Sequence, residues 1–247
     1  MTHKGTKTIF AVSDVHGHYT ALARALEARG FEADNENHVF LSAGDLFDRG
    51  QENAEVYAFV KALPRKILLR GNHEDLLREV LTEGVITPRE MANGTDLTIR
   101  ELLGEDAVDF FGRIEHQGRE EAIAELVGFL DSMGDYWEAG DFVFTHGWLP
   151  IEIDGRRARI REGWMDAPAE EWNECRWLEW QQLYDVGALL AGKTIVCGHR
   201  PARLGHSFDP MREPDCDEIF YGQGMIVLDG YTARSGRVNV LTVEIGE

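Results

Sequence analysis

The feature that most constrains the fold is an alternation of apolar runs with amphipathic segments between residues 7 and 70. The run KTIFAV at 7–12 is typical of a buried strand, and residues 19–29 have a helical periodicity that stops at Gly30. The pattern then repeats, because the strand-like runs HVFLSAG and KILLR flank a helical segment, ENAEVYAFVKAL. Strands that alternate with helices form a largely parallel sheet with helices on its faces. The sequence therefore predicts an α/β fold.

Residues 75–133 interrupt this alternation with helical patterns, such as EEAIAELVGFLDSM, and a turn-forming break, ANGTD. Strand-like runs then return in DYWEA, DFVFTH, KTIVCG, MIVLDGY and RVNVLTVEI. No stretch rich in Pro, Gly or Ser divides the chain. We therefore expect one domain over residues 1–247 that carries a helical insertion at about 75–133.

Five of the predicted strands end in residues that can bind a metal ion or transfer a proton. In a parallel sheet, ligands bind beyond the carboxyl ends of the strands. One such residue has an ordinary explanation, since Gly71 and Asn72, for example, could simply begin a helix. Five strand ends of this kind predict a shared site. In chain order its residues are Asp14 and His16, then Asp45, Asp48 and Arg49, then Asn72 and His73, then His146, and finally His199.

The chemistry of this set favours divalent metals. Carboxylate, imidazole and amide donors without thiolates suit Mn, Fe, Zn or Mg, and we expect two Mn ions because sulfur is lacking, with Fe–Zn or Mg pairs left open. Two ions roughly 3.5–4 Å apart need a bridging carboxylate, for which Asp45 is the candidate. Such a pair lowers the pKa of a bound water and clamps both oxygens of an in-line phosphoryl displacement. The sequence therefore predicts attack of a metal-bound hydroxide on a phosphate ester.

The net charge limits the partners. The chain has 25 Lys and Arg against 44 Asp and Glu, a formal charge of −19, which opposes binding to nucleic acid or an anionic membrane. Two bound cations would supply the local positive charge that an anionic substrate requires. The three cysteines lack zinc or redox spacing, and no apolar stretch has the length of a signal peptide or a membrane span. We expect a cytoplasmic protein.

Five motifs together resemble those of the calcineurin-like metallophosphoesterases, and within them the phosphoprotein phosphatase group. DVHGH, GDLFDRG, LLRGNHED, THGW and GHRP match that group in type, order and approximate separation, over residues 14 to 200. The resemblance implies a four-layer αββα sandwich with the metals at one edge of the sheets. It also implies a bacterial-type serine/threonine phosphatase or a diadenosine tetraphosphatase-like enzyme.

The resemblance further implies a role for each matching residue. His73 would protonate the leaving oxygen, oriented by Asp48, and Arg49 would bind phosphate. The first ion would be held by Asp14, His16 and Asp45, and the second by Asp45, Asn72, His146 and His199.

A second phosphate-binding arginine is expected between the two late histidines, and Arg176 in CRWLEW is the first choice. The alternatives lie in DGRRARIREGW, where a run of charge is more often a solvated face; they are Arg156, Arg157, Arg159 and Arg161. Nearby, Trp177, Trp180 and Tyr184 fall at helical spacing, which is typical of core residues. The alternative for these aromatics is a wall beside the site that stacks a nucleobase.

The expected reaction is hydrolysis of phosphate monoesters, with phosphoserine or phosphothreonine in proteins as the first substrate class. The alternative is a small nucleotide substrate such as diadenosine tetraphosphate, which would use the same metal site. A catalytically silent scaffold is a remote alternative, because neither a ligand nor the acid is missing. The segment FDPMREPDCDEIFYGQG lacks the tyrosine-containing hairpin of the eukaryotic enzymes, which argues against protein substrates of the eukaryotic kind.

Overall fold

The computed structural model of the chain describes residues 6–155, 157–206 and 216–246. The strands are β1 Thr6–Val12, β2 His38–Ser42, β3 Lys66–Leu68, β4 Tyr136–Ala139, β5 Phe142–Thr145, β6 Ile151–Asp154, β7 Arg157–Ile160, β8 Thr194–Cys197, β9 Phe220–Gly222, β10 Met225–Val227 and β11 Leu241–Gly246. The α-helices are α1 Tyr19–Ala28, α2 Asn53–Ala62, α3 Asn72–Glu83, α4 Pro88–Asn93, α5 Thr95–Leu103, α6 Glu120–Asp131, α7 Ala169–Cys175, α8 Trp180–Asp185, α9 Arg203–His206 and α10 Thr232–Ser235.

These strands form two main sheets. One has the order β11-β1-β2-β3, in which β1, β2 and β3 run parallel and β11 is antiparallel to β1. The other has the order β4-β5-β8-β10-β9, with parallel β5, β8 and β10 between antiparallel edge strands. Val12 pairs with Ser42, and Ser42 pairs with Leu68, so β1, β2 and β3 end level with one another. The polar residues that follow them consequently leave from one edge.

The alternation of side chains along each strand places the two sheets face to face. In β1, Ile9 and Ala11 belong to the same buried cluster as Val196 of β8 and Ile226 of β10. The neighbouring Phe10 and its alternate residues instead pack against helices α1, α2, α3 and α6. Since side chains in a strand point alternately to its two faces, each sheet covers the other on one side only.

The outer face of the second sheet is covered in the same way. Ile195 and Cys197 of β8 and Met225 of β10 pack with Trp172 of α7 and Trp180 of α8. The layers are therefore helices, sheet, sheet and helices, which confirms the predicted four-layer αββα sandwich. None of the helices in the described ranges combines the length and the apolar character needed to cross a bilayer.

Helices α3 to α6 occupy the region of the predicted insertion. Helix α3 begins at Asn72 and not at residue 75, so the strand-end motif itself forms the first helical turn. The predicted break in ANGTD is present, because α4 ends at Asn93, Gly94 has a left-handed φ of 84°, and α5 begins at Thr95. The single domain over residues 1–247 stays a prediction.

The hairpin β6–β7 was not predicted from the sequence. It forms a separate two-stranded sheet in the arginine-rich segment, where Arg159 pairs with Glu152 at the surface. A hairpin with charged residues on its exposed positions has no continuous apolar run to reveal it. Arg156 lies outside the described residues, as do residues 207–215, which include much of the segment that departs from the eukaryotic pattern.

Candidate metal centre

The side chains that follow five strands meet in one buried site between the sheet edges. Asp14, Asp45 and His146 are at most 2% exposed, although each is polar. Glycines make the close approach possible: a Cβ on Gly71 would lie 2.2 Å from Asp45 Oδ1, and one on Gly198 would lie 2.1 Å from Asp14 Oδ2. The glycines beside the strand ends therefore have a steric reason.

The backbone of the site is unusual. Seven non-glycine residues in the described part of the chain have a left-handed φ, and six of them are predicted site residues. This conformation is uncommon for residues with a Cβ and persists where the surrounding structure holds it, most often at functional sites. The six are Asp14, His16, Asp45, Asp48, Arg49 and His199.

Asp45 lies at the centre of the site. Its Oδ1 is 3.3 Å from His146 Nε2, and its Oδ2 is 3.7 Å from His16 Nε2. Two groups of donor atoms close enough to hold a metal ion share this residue: one comprises His16, Asp45 and His73, and the other comprises Asp45, His146 and His199. A carboxylate common to two such groups has the position that a bridging ligand requires.

Asp14 and Asn72 border these groups. Asp14 Oδ1 is 3.8 Å from His16 Nε2, and Asp14 Oδ2 accepts hydrogen bonds from the His199 backbone N–H and from the Ser13 hydroxyl. Asn72 Oδ1 lies 2.9 Å from a ring nitrogen of His146 and 2.9 Å from one of His199. The structure thus brings all six predicted metal ligands together.

The histidine rings are oriented by the backbone. His16 donates its Nδ1–H to the carbonyl of Phe47 at 3.0 Å, and His146 donates its Nδ1–H to the carbonyl of Ala43 at 2.8 Å. Both rings therefore direct Nε2 to Asp45. Metal-binding histidines usually have their second nitrogen hydrogen-bonded in this manner, which sets the tautomer and the ring orientation.

The charges of the site also suit cations. Burial lowers the pKa of His146, but the charges of Asp45 and Asp14 outweigh it and raise that pKa to about 10. Burial is the main cause that raises the pKa of Asp14. Protons therefore balance the buried carboxylates here, and a divalent ion could replace them, because metal binding displaces protons from its ligands. The residues present fit the divalent metals expected from the sequence.

His73 is held by a network that reaches into the helical insertion. It donates its Nδ1–H to Asp48 Oδ2 at 2.8 Å, and the hydroxyls of Thr95 and Thr98 on α5 donate to the same carboxylate at 2.8 and 2.7 Å. Burial lowers the pKa of His73, but Asp45 and Asp48 outweigh this effect and raise it overall. The two threonines were not anticipated, since they are remote in sequence from Asp48.

The two predicted phosphate-binding arginines differ in their surroundings. Arg49 places Nη2 3.1 Å from His73 Nε2, inside the site. Arg176 is buried and paired with Asp75 at 3.1 Å and Asp135 at 2.6 Å. Among the alternatives, Arg159 is engaged by Glu152 and Arg161 by Glu171.

Glu74 is a site residue whose role the sequence left open. It is fully buried, and its carboxylate accepts the backbone N–H groups of Asp45, Leu46 and Gly71 at 2.7–2.8 Å. Burial and the charge of Asp45 raise the pKa of Glu74 to about 7. Glu74 thus holds the loop that carries Asp45 against the start of α3.

Asp229 was missed, although a signal for it was present. It follows β10 in the sequence VLDG, which repeats the arrangement of a strand, a polar residue and a glycine seen at the other strand ends. It is buried, its carboxylate accepts the Tyr231 N–H, and burial together with the charge of Asp14 raises its pKa well above the usual range.

The aromatic residues near the site divide into core and surface. Trp180 is fully buried and stacks on Phe220, and Tyr184 packs against the edge of the same ring. Trp177 is 41% exposed, and its ring lies 6.1 Å from that of His199. The core interpretation therefore holds for Trp180 and Tyr184, whereas Trp177 lies at the surface beside the site.

Two curated proteins resemble the chain over most of its length. Bis(5'-nucleosyl)-tetraphosphatase PrpE [asymmetrical] of Bacillus velezensis is 26% identical over 208 residues, which cover 78% of this chain and 77% of the relative. The protein of the same name from Bacillus subtilis strain 168 is 25% identical over 206 residues, which cover 78% of each chain.

Solved structures share the fold. One, provisionally assigned as a diadenosine tetraphosphatase, has a TM-score of 0.56 and 16% identity, and the match covers 99% of this chain and 95% of the other. The cold-active protein-tyrosine phosphatase of a psychrophilic Shewanella species has a TM-score of 0.53 and 16% identity, with coverages of 97% and 76%. At such identities the likeness supports the architecture alone.

The sequence model of the calcineurin-like phosphoesterases matches residues 7–222, which include the strand-end residues of both sheets. This match extends over most of the chain and agrees with the shared fold and with the buried donor groups around Asp45. The chain belongs to the calcineurin-like phosphoesterase family, whose members are metal-dependent hydrolases.

Proposed function

We propose that this protein hydrolyses a phosphoric anhydride of a dinucleoside polyphosphate, such as diadenosine tetraphosphate, with two divalent ions held at the strand edge. The observation that carries the reaction class is the pair of buried donor groups that share Asp45. The substrate class is supported by the curated relatives, which are asymmetrical bis(5'-nucleosyl)-tetraphosphatases. Cleavage by water would yield a nucleoside triphosphate and a nucleoside monophosphate.

The proposed metal ligands are those expected from the sequence, with Asp45 common to both ions. Bound divalent ions supply Lewis-acid stabilisation of the charge on phosphate oxygens and activation of water. Mn remains our expectation for their identity. The first set is Asp14, His16 and Asp45, and the second is Asp45, Asn72, His146 and His199.

His73 is proposed as the general acid and not as a ligand. Its Nδ1 is committed to Asp48, so Nε2 is the nitrogen available to a leaving oxygen. The Arg49 guanidinium lies 3.1 Å from that Nε2, where a second cation would oppose a metal ion. We propose that Arg49 turns to the substrate phosphate, which its planar fork of donors fits, and leaves Nε2 free to carry the transferred proton.

Arg176 is proposed as the second arginine that stabilises bound phosphate. Its pairing with Asp75 and Asp135 fixes the guanidinium in a buried position, and its backbone carbonyl packs against Gly147, the residue after His146. A fixed guanidinium loses little side-chain entropy when it binds an anion. Hydrolysis of phosphoserine or phosphothreonine, and the cytoplasmic location, stay predictions.

A direct comparison of substrates tests this proposal. Protein stripped with a chelator and reloaded with Mn is incubated in parallel with diadenosine tetraphosphate and with a phosphoserine peptide, and the nucleotides are separated chromatographically. We expect ATP and AMP in equal amounts and faster turnover of the dinucleotide. Preference for the peptide would reject the substrate class, and no metal-dependent turnover of either would reject the hydrolase function.

A further inference from the structure

We propose that Trp177 and Arg89 form the subsite that binds a nucleobase and the adjoining phosphates of the substrate. This inference rests on the proposed function and extends it, because it assigns recognition of the nucleotide to two residues from separate parts of the chain. Arg89 belongs to α4 in the helical insertion, and Trp177 lies between α7 and α8.

The position of Trp177 suits a base that is linked to the reacting phosphate. Its ring lies 6.1 Å from His199, a proposed metal ligand, at an interplanar angle of 81°. A large aromatic residue that is 41% exposed leaves apolar surface in contact with water. Every nucleobase has a flat π face that can cover such a ring, so stacking here needs no particular base.

Arg89 lies over that ring in the absence of substrate. Its guanidinium carbon is 4.7 Å from the Trp177 ring centroid, and within the described ranges the guanidinium has no carboxylate partner. In a chain of net charge −19, an arginine without an acidic partner is notable. Guanidinium groups stack on aromatic rings and also bind phosphate oxygens through paired donors, so one residue can exchange the first contact for the second.

The groove beside this pair has the size and polarity for part of a nucleotide. It has a volume of about 440 Å³ and is bordered by α3, α4 and the end of α7. Arg70 and Arg78 also line it, but both pair with Asp131. Arg89 is therefore the lining arginine best placed to accept a polyphosphate chain, while Trp177 offers its face to the base.

The test compares binding of two anions to the Mn-loaded protein by calorimetry. One is a diadenosine tetraphosphate analogue with methylene groups in place of the bridging oxygens, and the other is inorganic tetraphosphate, which has no base. The variants are Trp177→Ala, Trp177→Phe and Arg89→Met. Phe111→Ala is the matched control, since it removes another exposed ring that an arginine, Arg113, covers at 5.4 Å.

We expect Trp177→Ala to weaken binding of the analogue about tenfold and binding of inorganic tetraphosphate much less, because only the analogue stacks. Trp177→Phe should fall between wild type and Ala. Arg89→Met should weaken both anions, and Phe111→Ala should change neither.

Three results would overturn the inference. If wild type binds the analogue and the Trp177 and Arg89 variants bind it equally well, the subsite is wrong and the proposed function stands. If Trp177→Ala weakens both anions alike, the ring has only a structural role. If wild type neither binds the analogue nor cleaves the dinucleotide, the subsite and the proposed substrate class fail together.

Discussion

Among single residues, Asp45 has the most connections to the proposed chemistry. It is buried, has a left-handed φ of 55°, and lies in both donor groups. Burial acts to raise its pKa, but the charges of His146 and His73 hold that pKa well below the usual range. The residue is therefore a charged acceptor in a site that offers it little water, and the first prediction concerns its loss.

We expect Asp45→Asn to lower the metal content from two ions towards none, because both groups lose their common carboxylate. Metal per chain is measured by plasma mass spectrometry after dialysis against Mn. Asp154→Asn, at an exposed position of β6, is the control and should retain wild-type content. A full complement of Mn in Asp45→Asn would contradict the bridging role.

His73→Asn should reduce turnover while the metal content is retained. General acid catalysis contributes about 10²- to 10⁴-fold, and it matters most for poor leaving groups. The loss should therefore be larger for a phosphoserine peptide, which releases an alcohol, than for p-nitrophenyl phosphate, which releases a weakly basic phenolate. Rates for both substrates are compared with those of wild type. Equal losses for the two leaving groups would argue against proton donation by His73.

The cysteines should differ in reactivity. Burial raises the pKa of the Cys175 thiol to about 12 and that of Cys197 well above its ordinary value, so both stay protonated at neutral pH, and only the thiolate reacts. Cys216 is partly exposed. A colorimetric disulfide reagent should therefore modify about one thiol in the folded protein and all three in denaturant. Rapid reaction of Cys175 or Cys197 in the native state would contradict their burial.

At the scale of elements, the start of α3 is joined to the loop after β2 by Glu74. The three backbone N–H groups that it accepts come from Asp45, Leu46 and Gly71, and two of these residues precede no regular element of their own. This one side chain therefore sets the distance between the loop that carries Asp45 and the helix that carries Asn72 and His73.

Glu74→Gln should lower the free energy of unfolding by about 1–3 kcal/mol, because an amide NH₂ would face backbone donors that are left unsatisfied in a buried place. Denaturant titration of metal-free protein measures this change. Glu79→Gln, at an exposed position of the same helix, is the control. A stability equal to that of wild type would show that the loop and α3 do not depend on the carboxylate.

For the whole molecule, the proposed site connects the two sheets. Asp14, Asp45 and Asn72 follow strands of one sheet, and His146 and His199 follow strands of the other. An ion held between them binds the native state and not the separated strands. Its binding free energy therefore adds to the stability of the fold.

Removal of metal by a chelator should consequently lower the melting temperature. At a free Mn concentration of about 100 times Kd, one site adds about 2.7 kcal/mol. For a chain of this size that corresponds to a shift of roughly 5–10 °C. Scanning calorimetry with and without Mn measures the shift, and Asp45→Asn should show little of it. An unchanged melting temperature in wild type would mean that the ions do not join the sheets.

Much of the architecture and the composition of the candidate site could be predicted from the sequence. The strands, the helices and the residues at strand ends are local features, because a side-chain pattern with period two or 3.6 and a following polar residue lie within a few positions of one another. The exposed hairpin β6–β7 was missed since it has no apolar period, and Asp229 was missed although its VLDG context had the expected form.

The sequence by itself determined which residues form strands and helices, and which polar side chains stand at the strand ends. The tertiary structure alone decided that Thr95 and Thr98 hold Asp48, that Glu74 binds the Asp45 loop, and that Arg89 covers Trp177. The physical reason is the range of each interaction. Burial patterns repeat along the chain, whereas a hydrogen bond or a cation over a ring depends on how distant segments pack, and no local pattern records that.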